Sequence, residues 1–131
     1  MLTNLLAMPL VNLVVLTGNN EDWVDSIKFV IDDGSGLPEL PQLDLTGIVF
    51  EMEVRRQVPD SEVVLRASTA DGTLAIGEPP NYGFLLINID HEFMKIIRPG
   101  DYVGDIVGRD ADTIRRCIGI DLEIALGVTR P

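Results

Sequence analysis

The sequence predicts an all-β fold, an antiparallel β-sandwich of about 7–9 strands with one short helical turn. Short apolar stretches recur along the 131-residue chain. Turn-forming residues separate them at intervals of about 8–12 residues. These intervals leave no room for the helices that connect parallel strands, so the predicted strand pairs are antiparallel. The chain is 46% hydrophobic and 24% charged, a composition that supports a folded core rather than a disordered coil.

The N-terminal residues 1–18 form the most apolar part of the chain. A secretory signal begins with basic residues, but the first basic residue here is Lys28. Asn4, Pro9 and Asn12 interrupt the apolar run, which is also shorter than the roughly 20 apolar residues of a membrane-spanning helix. We therefore expect a protein made in the cytosol, with neither a targeting signal nor a membrane as its partner.

The segment Leu10–Thr17 is rich in β-branched residues and predicts the first strand, which ends at the turn signal Gly18-Asn19-Asn20. We expect residues 1–9 to be an N-terminal extension and residues 10–131 to form a single domain. The predicted strand has two possible partners. It either begins the chain's own sandwich or adds to the sheet of a neighbouring molecule by β-augmentation.

Alternation of apolar and polar residues predicts most of the remaining strands. It is clearest in Gly47–Arg56, where a helix would spread the apolar side chains over several faces. Trp23–Ile31 and Ile114–Leu126 alternate in the same way. Shorter strands are predicted at Glu62–Ala67, Thr73–Ile76, Gly83–Ile89 and Tyr102–Val107. The turns between strands are predicted at Asp32-Asp33-Gly34-Ser35-Gly36, Pro59-Asp60-Ser61, Asp71-Gly72 and Pro79-Pro80-Asn81.

One helical turn is predicted at Asp90–Ile97. Asp90 is a suitable N-cap residue, and Pro99-Gly100 ends the segment. We expect one face of this turn to pack against the sandwich. The apolar residues predicted on that face are Phe93, Met94 and Ile97.

The acidic balance of the chain excludes one class of partner. Ten Lys and Arg residues against 21 Asp and Glu residues give a formal net charge of −11, whereas binding to nucleic-acid phosphates requires clustered cations. The carboxylates match no calcium-loop pattern, and no glycine-rich loop opens a helix. We expect the carboxylates to serve turns and solubility, and we predict no metal and no cofactor.

Few residues in the chain are suited to catalysis. Cys117 is the only cysteine, which excludes an internal disulfide and a cysteine-based zinc site. Arg115 and Arg116 beside it would lower its pKa, but strand parity predicts a mixed rim position and an incidental thiol. His91 is the only histidine and has no Ser or Cys placed as its nucleophile, so we expect a surface residue. We predict that the protein is not an enzyme.

A corner motif indicates the type of sandwich. In Pro99-Gly100-Asp101-Tyr102, a Tyr follows a Gly-containing corner and opens a late strand, which is similar to the tyrosine corner of immunoglobulin-like sandwiches. In that motif the Tyr hydroxyl bonds to upstream backbone and holds the crossover between sheets. We therefore predict an immunoglobulin-like antiparallel β-sandwich. The candidate site residues are all structural: Trp23 as a large core residue, Gly47, Phe50, Pro99, Gly100 and Tyr102.

Four segments together resemble a protein family of tailed phages and prophages. They are Gly18–Trp23 (GNNEDW), Asp44–Gly47 (DLTG) with the VFEMEVR that follows, Ile97–Ile106 (IRPGDYVGDI) and Gly127–Arg130 (GVTR). On these motifs the chain, from about Leu10 to its C-terminus, is similar to small immunoglobulin-like tail proteins related to the N-terminal domain of phage baseplate upper proteins. Members of that family typically have G-D-[DT]-[WY] as the first motif, so GNNEDW departs from the pattern and alters that turn.

The resemblance implies a structural protein of a phage or prophage virion, an adaptor in the tail or baseplate that acts by protein–protein assembly. It implies other virion proteins and further copies of the chain as partners, and a place in the virion after synthesis in the cytoplasm of the bacterial host. It implies no catalytic residues. The alternative is a carbohydrate- or receptor-binding β-sandwich module, which would need exposed aromatic side chains. The chain has one Trp, two Tyr and four Phe residues, mostly at predicted core positions.

Overall fold

Eight strands and one short helix make up the described part of the chain. The structure is a computed structural model that describes residues 11–31, 34, 36, 40–57 and 62–129. The predicted extension at residues 1–9 and the predicted turn at Pro59-Asp60-Ser61 lie outside the described residues. In chain order the elements are β1 (Val11–Gly18), β2 (Trp23–Lys28), β3 (Val49–Arg55), β4 (Val63–Ser68), β5 (Leu74–Ile76), β6 (Phe84–Ile89), α1 (His91–Met94), β7 (Gly100–Arg109) and β8 (Ile114–Ala125).

The strands form two hydrogen-bonded sheets. The larger sheet has five strands in the order β1-β8-β7-β3-β4, and the smaller has three strands in the order β2-β6-β5. Neighbouring strands often come from distant parts of the chain, as in the Greek-key connections of sandwiches. Apolar side chains from both sheets pack into one core. The predicted all-β, immunoglobulin-like sandwich is therefore confirmed.

One strand pair departs from the predicted antiparallel arrangement. β1 runs parallel to β8, from Val11 opposite Ile118 to Gly18 opposite Ala125. The other strand pairs of the described residues are antiparallel. Parallel neighbours need a long connection. Because β1 is the first described strand and β8 the last, the rest of the domain forms that connection without a crossover helix.

Strand parity places the core where the alternation predicts it. Leu13 and Val15 of β1 pack against this core and are partly buried, so the segment predicted at Leu10–Thr17 belongs to the chain's own sandwich over its described residues. The fully buried inward side chains of β3, β7 and β8 are Phe50, Met52, Val54, Tyr102, Ile106, Ile118, Ile120, Leu122 and Ile124.

The short helix lies where it is predicted, but one of its residues faces the other way. α1 covers His91–Met94, and the Asp90 side chain accepts a backbone N–H of its first turn. Met94 and the following Ile97 are buried, whereas Phe93 is exposed, so the predicted place of Phe93 on the buried face is wrong. A single turn buries only the side that faces the sandwich. No helix in the described ranges is long and apolar enough to cross a membrane.

Tyr102 closes the corner that precedes β7. Its ring is buried, and its hydroxyl donates a hydrogen bond to the backbone carbonyl of Arg98. Gly100 has a φ of 151°, a conformation that side chains rarely adopt. Gly104 lies two residues beyond the Tyr, where antibody domains carry a disulfide-bonded Cys. A Cβ there would come within 2.7 Å of the Glu53 carbonyl, so this close approach of β7 to β3 requires glycine.

Three of the other structural candidates lie in the core or in a turn. Trp23 is buried, and its Nε1 donates to Asp25 Oδ2 at 2.7 Å, so the indole fills the core without an unpaired donor. The Phe50 ring is also buried, 6.4 Å from the Phe29 ring between centroids. Gly47 has a φ of 87° in the turn before β3, in the left-handed region that favours glycine.

Cys117 lies deeper than the strand pattern predicts. The pairing of β7 with β8 shifts register between Ile106 and Val107, so that Cys117 is an extra residue between Arg116 and Ile118. This irregularity turns the thiol into the core, and the predicted rim position is wrong. Burial raises the pKa of the Cys117 thiol by more than the adjacent cationic charge lowers it. The thiol is therefore not activated as a nucleophile.

Deleting residues 1–16 should destabilise the sandwich, because the deletion removes most of β1 and uncovers the edge of β8. We expect the free energy of unfolding to fall by about 2–4 kcal/mol, through the lost burial of Leu13 and Val15 and the lost pairing with β8. Urea unfolding measures the change, with deletion of residues 1–10 as the control that leaves β1 intact. Equal stability of the two truncated chains would contradict the place of β1 in this fold.

Replacing Tyr102 with Phe removes the corner hydrogen bond and keeps the ring. The Arg98 carbonyl then loses its donor, and we expect the free energy of unfolding to fall by about 1–2 kcal/mol. The matched control is Tyr82→Phe, at an exposed Tyr, which should change the same quantity by less than about 0.5 kcal/mol. If the two variants unfold at the same urea concentration, the corner bond does not stabilise the fold.

Candidate functional site

The most distinctive surface is the outer face of the five-stranded sheet. Side chains that point away from the core form rows across the strands, because paired strands each contribute one residue to a row. The first row contains Leu16, Glu123 and Asp101. The second row contains Val14, Asp121, Val103 and Arg55. Exposed apolar residues of β1 therefore lie beside acidic residues of β8 and β7.

Arginine side chains neutralise only one part of this face. The ion pairs there are Arg55–Glu53 at 2.8 Å, Arg66–Glu53 at 3.9 Å, Arg109–Glu51 at 2.9 Å and Arg116–Asp105 at 3.4 Å. Asp101, Asp121 and Glu123 form no ion pair with any described residue. Glu123 lies directly opposite Asp101, and like charges in this arrangement destabilise a strand pair. We call these three residues the acidic corner.

β1 borders the acidic corner and is the edge strand of the sheet. Its outward side chains Val14 and Leu16 are 85% and 70% exposed. Its sequence, VNLVVLTG, contains no charged residue and no Pro, and its pairing with β8 has no bulge. Edge strands of native proteins usually carry a charged residue, a Pro or a β-bulge, because each of these prevents pairing with another chain. No described strand pairs with the side of β1 that faces away from β8.

The backbone hydrogen bonds show which groups of β1 are free. Asn19 N–H donates to the Ala125 carbonyl at 3.0 Å, in line with the ladder to β8. Gly18 N–H is instead capped by Glu21 Oε1 at 2.7 Å. Because backbone groups alternate between the two sides of a strand, every second residue before Gly18 also turns its N–H and C=O away from β8. These residues are Asn12, Val14 and Leu16.

A shallow groove lies between β1 and β2, which are the edges of the two sheets on the same side of the sandwich. Leu13 and Val15 line it from β1, and Asp25, Ser26 and Ile27 line it from β2. Leu13, Val15 and Ile27 are only partly buried. The core is therefore partly exposed along this side, and another chain could contact its apolar side chains.

A second polar feature is the contact between Asp22, in the turn between β1 and β2, and His91 at the start of α1. Asp22 Oδ1 accepts the backbone N–H of His91 at 2.7 Å and lies 2.8 Å from His91 Nδ1. The Asp90 carboxylate lies 3.4 Å from the same ring nitrogen. The hydrogen bond to Asp22 is the main reason why the pKa of His91 is raised. The His91 backbone N–H is the main reason why the pKa of Asp22 is lowered.

Asp22, Asp90 and His91 also form the one group of three metal-ligating side chains found among the described residues, with ligand atoms within 4.8 Å of one another. The His91 Nδ1 that a cation would need is at hydrogen-bond distance from Asp22. A cation would therefore have to displace the proton between them. In the arrangement present, the imidazole and the Asp22 carboxylate make a hydrogen bond that joins two loops, and this bond becomes an ion pair when His91 is protonated.

The residues considered for catalysis lie in different environments. The His91 ring bonds to Asp22 at the surface, whereas Cys117 Sγ donates to the Arg115 carbonyl from within the core. Trp23 and Tyr102 are also buried, so they contribute to the fold rather than to a surface site. Among the described residues, His91 and Cys117 are therefore not brought together in one site.

Neither the acidic corner nor the exposure of β1 was predicted from the sequence. Asp101 and Asp121 lie on consecutive strands, and only the register of β7 against β8 places them close together on one face. A signal for β1 was present. In Leu10–Thr17 both sets of alternate positions are largely apolar, a pattern typical of strands that make contacts on both faces.

Comparison with known proteins identifies no family for this chain. No protein-family model and no curated protein matches it. Among solved structures, the NK cell receptor Nkp44 is similar at 10% identity and a TM-score of 0.42, over 86% of this chain and 96% of that one. The extracellular fragment of novel immune-type receptor 11 from Ictalurus punctatus is similar at 11% identity and a TM-score of 0.35, over 90% and 87%. The likeness concerns the class of fold, and at these TM-scores it carries no argument about function.

Replacing His91 with Gln should change how stability depends on pH. The raised pKa means that the contribution of the pair is complete below pH 6.5, the usual pKa of His, and is lost as the pH rises through the higher folded value. The lowered pKa of Asp22 means that its contribution is present above pH 3.8 and is lost as the pH falls through the lower folded value. We expect the melting temperature of the wild type to exceed that of the variant most at about pH 5 and least at about pH 9.

Thermal unfolding followed by circular dichroism at both pH values measures this difference. Lys95→Gln is the matched control, because it removes a positive charge from the same helical turn where Lys95 pairs with Glu92 and not with Asp22. A difference between wild type and His91→Gln that is the same at both pH values would show that the ion pair does not stabilise the fold.

Proposed function

We propose that the protein is a structural component of a phage or prophage virion, an adaptor in the tail or baseplate that acts by assembly with other proteins and not as an enzyme. The resemblance of its GNNEDW, DLTG and PGDY segments to small immunoglobulin-like tail proteins supports this role. The observation that carries the proposal is the uncharged edge of β1, with exposed Val14 and Leu16 beside the acidic corner.

Each part of this surface suits assembly. The free backbone groups of β1 can extend the sheet into another chain, and such main-chain bonds supply affinity without requiring a particular side chain. Val14 and Leu16 contribute apolar area that is removed from water on contact. The acidic corner favours a neighbour with Lys or Arg at the matching position, which gives specificity and orientation. Other virion proteins are the partners that this role requires.

The interior of the molecule is consistent with a passive, rigid building block. Side chains of both sheets fill the space between them, and the described residues contain no buried side-chain N or O atom without a hydrogen-bond partner. The Tyr102 corner holds the crossover that leads into β7. A scaffold of this kind keeps an interaction surface in one geometry, which an adaptor between two larger components needs.

The alternative of a carbohydrate- or receptor-binding module has less support. Sugar rings stack on exposed aromatic faces, but Trp23, Phe50 and Tyr102 are buried. The most exposed aromatic residues are Tyr82 and Phe93, which lie in the turn before β6 and on α1. They belong to separate segments and do not form a row on one strand.

The proposed role predicts that the chain is part of intact particles. We expect it to co-sediment with phage or prophage particles purified by density gradient from an induced culture of the bacterium that carries the gene, at a constant ratio to other tail proteins. Quantitative mass spectrometry of the gradient fractions measures this ratio. A cytosolic protein of similar mass and charge, carried through the same gradient, is the control for trapped material.

Two results would contradict the role. One is recovery of the chain from the soluble fraction alone. The other is normal tail morphology and infectivity in particles from a strain that lacks the gene.

A further inference from the structure

One side of β1 faces away from β8 and has free backbone groups. The row of free groups ends at Gly18. Asn12, Val14 and Leu16 turn their backbone groups to this side, and none of them has a hydrogen bond there with another described residue. At Gly18 the Glu21 carboxylate caps the next N–H at 2.7 Å. Over residues 11–18, the free side therefore offers three N–H and three C=O groups before the cap at Gly18.

We propose that this side of β1 pairs antiparallel with β1 of a second copy of the chain, so that two five-stranded sheets join into one sheet of ten strands. The inference deepens the proposed function, on which it rests, by naming the partner of the β1 edge. A two-fold axis relates the two copies, as in most homodimers, and the same surface is used twice.

Among residues 11–18, one antiparallel register pairs all of the free backbone groups. With the axis at Val14, Val14 lies opposite the partner's Val14, and Asn12 lies opposite the partner's Leu16. Every residue with free groups then faces another such residue, which allows six interchain hydrogen bonds. Moving the register by two residues towards the C-terminal end would set Asn12 against the partner's Gly18, whose N–H is already taken by Glu21.

The side chains of β1 fit this register. On the outer face, the Val14 side chains meet at the axis, and each lies diagonally next to the Leu16 side chain of the other copy. On the inner face, Leu13 lies opposite the partner's Val15, two apolar residues that are only partly buried in the single chain. The pairing thus covers the outward apolar residues and the open side of the sandwich together.

A second copy of β1 places no charge against another at the paired strands, because β1 itself is uncharged. The acidic corner lies on the neighbouring strands β7 and β8, where it stays available to a neighbour with Lys or Arg. The repulsion between two chains of net charge −11 opposes the pairing, and salt should therefore strengthen it by screening. One strand pair buries less than the roughly 1,200 Å² of a stable interface, so we expect a weak, concentration-dependent dimer.

Sedimentation equilibrium of the full chain at increasing concentration tests the proposal. We expect the average mass to rise from 14.4 kDa towards twice that value, and to rise further at high salt. Val14→Asp should keep the protein monomeric, because two carboxylates would meet at the axis, each beside Asp121. Ile96→Asp, which places the same charge at an exposed apolar residue away from β1, should leave the association unchanged.

Disulfide formation tests the register. Val14→Cys should form an interchain disulfide under mild oxidation, because directly opposed residues have Cα atoms about 5.5 Å apart. Asn12→Cys should not, because the two Asn12 positions would be about 14 Å apart along the strands. The native Cys117 is buried and is present in both variants, so it does not distinguish them.

Three outcomes would overturn the proposal. They are a full chain that stays monomeric at all concentrations and salt levels, a dimer that Val14→Asp does not weaken, and equal cross-linking of the two Cys variants. A monomeric full chain together with a dimeric chain of residues 11–131 would identify residues 1–10 as the occupant of the edge. Failure here leaves the particle test of the proposed function untouched, since that test detects assembly with any virion protein.

Discussion

Burial of alternate side chains between the two sheets is the constraint on which the rest of the structure depends. It sets the parity of each strand, because a shift of one residue would expose the whole apolar set. In β8 the side chains from Ile120 to Ala125 alternate between core and solvent, and the extra residue Cys117 is accommodated by a local register shift. Parity in turn determines which side chains and which backbone groups remain available at the surface.

β1 shows the consequence most clearly. The parity that buries part of Leu13 and Val15 necessarily turns Val14 and Leu16 into solvent. The same alternation directs one set of backbone groups to β8 and the other set outwards. The strand then combines exposed apolar area, free main-chain groups and no protective charge. Surfaces of monomeric proteins usually protect their edge strands and balance their charges, and β1 and the acidic corner do neither. Departures of this kind are typical of functional surfaces.

Most of the fold was predictable because its signals are local. The alternation in Gly47–Arg56, the turn at Asp71-Gly72 and the cap at Asp90 each act within a few residues, and the structure has a strand, a turn and a helix start there. The predictions that failed involve non-local geometry. Strand direction is not encoded in alternation, so the parallel pairing of β1 was missed, and the depth of Cys117 depends on a register shift against another strand.

The sequence by itself determined the two-layer β architecture, the acidic charge and the scarcity of reactive side chains, because composition and short-range periodicity are sufficient for these. The tertiary structure alone decided which strand forms the edge of the sheet and which carboxylates lie together on its outer face. Asp101, Asp121 and Glu123 become neighbours only through the pairing of β7 with β8, and β1 becomes an edge only through the order of strands in the sheet. The first feature depends on the register of one strand against the next, and the second on contacts between the first and last described strands. Alternation within a single strand specifies neither.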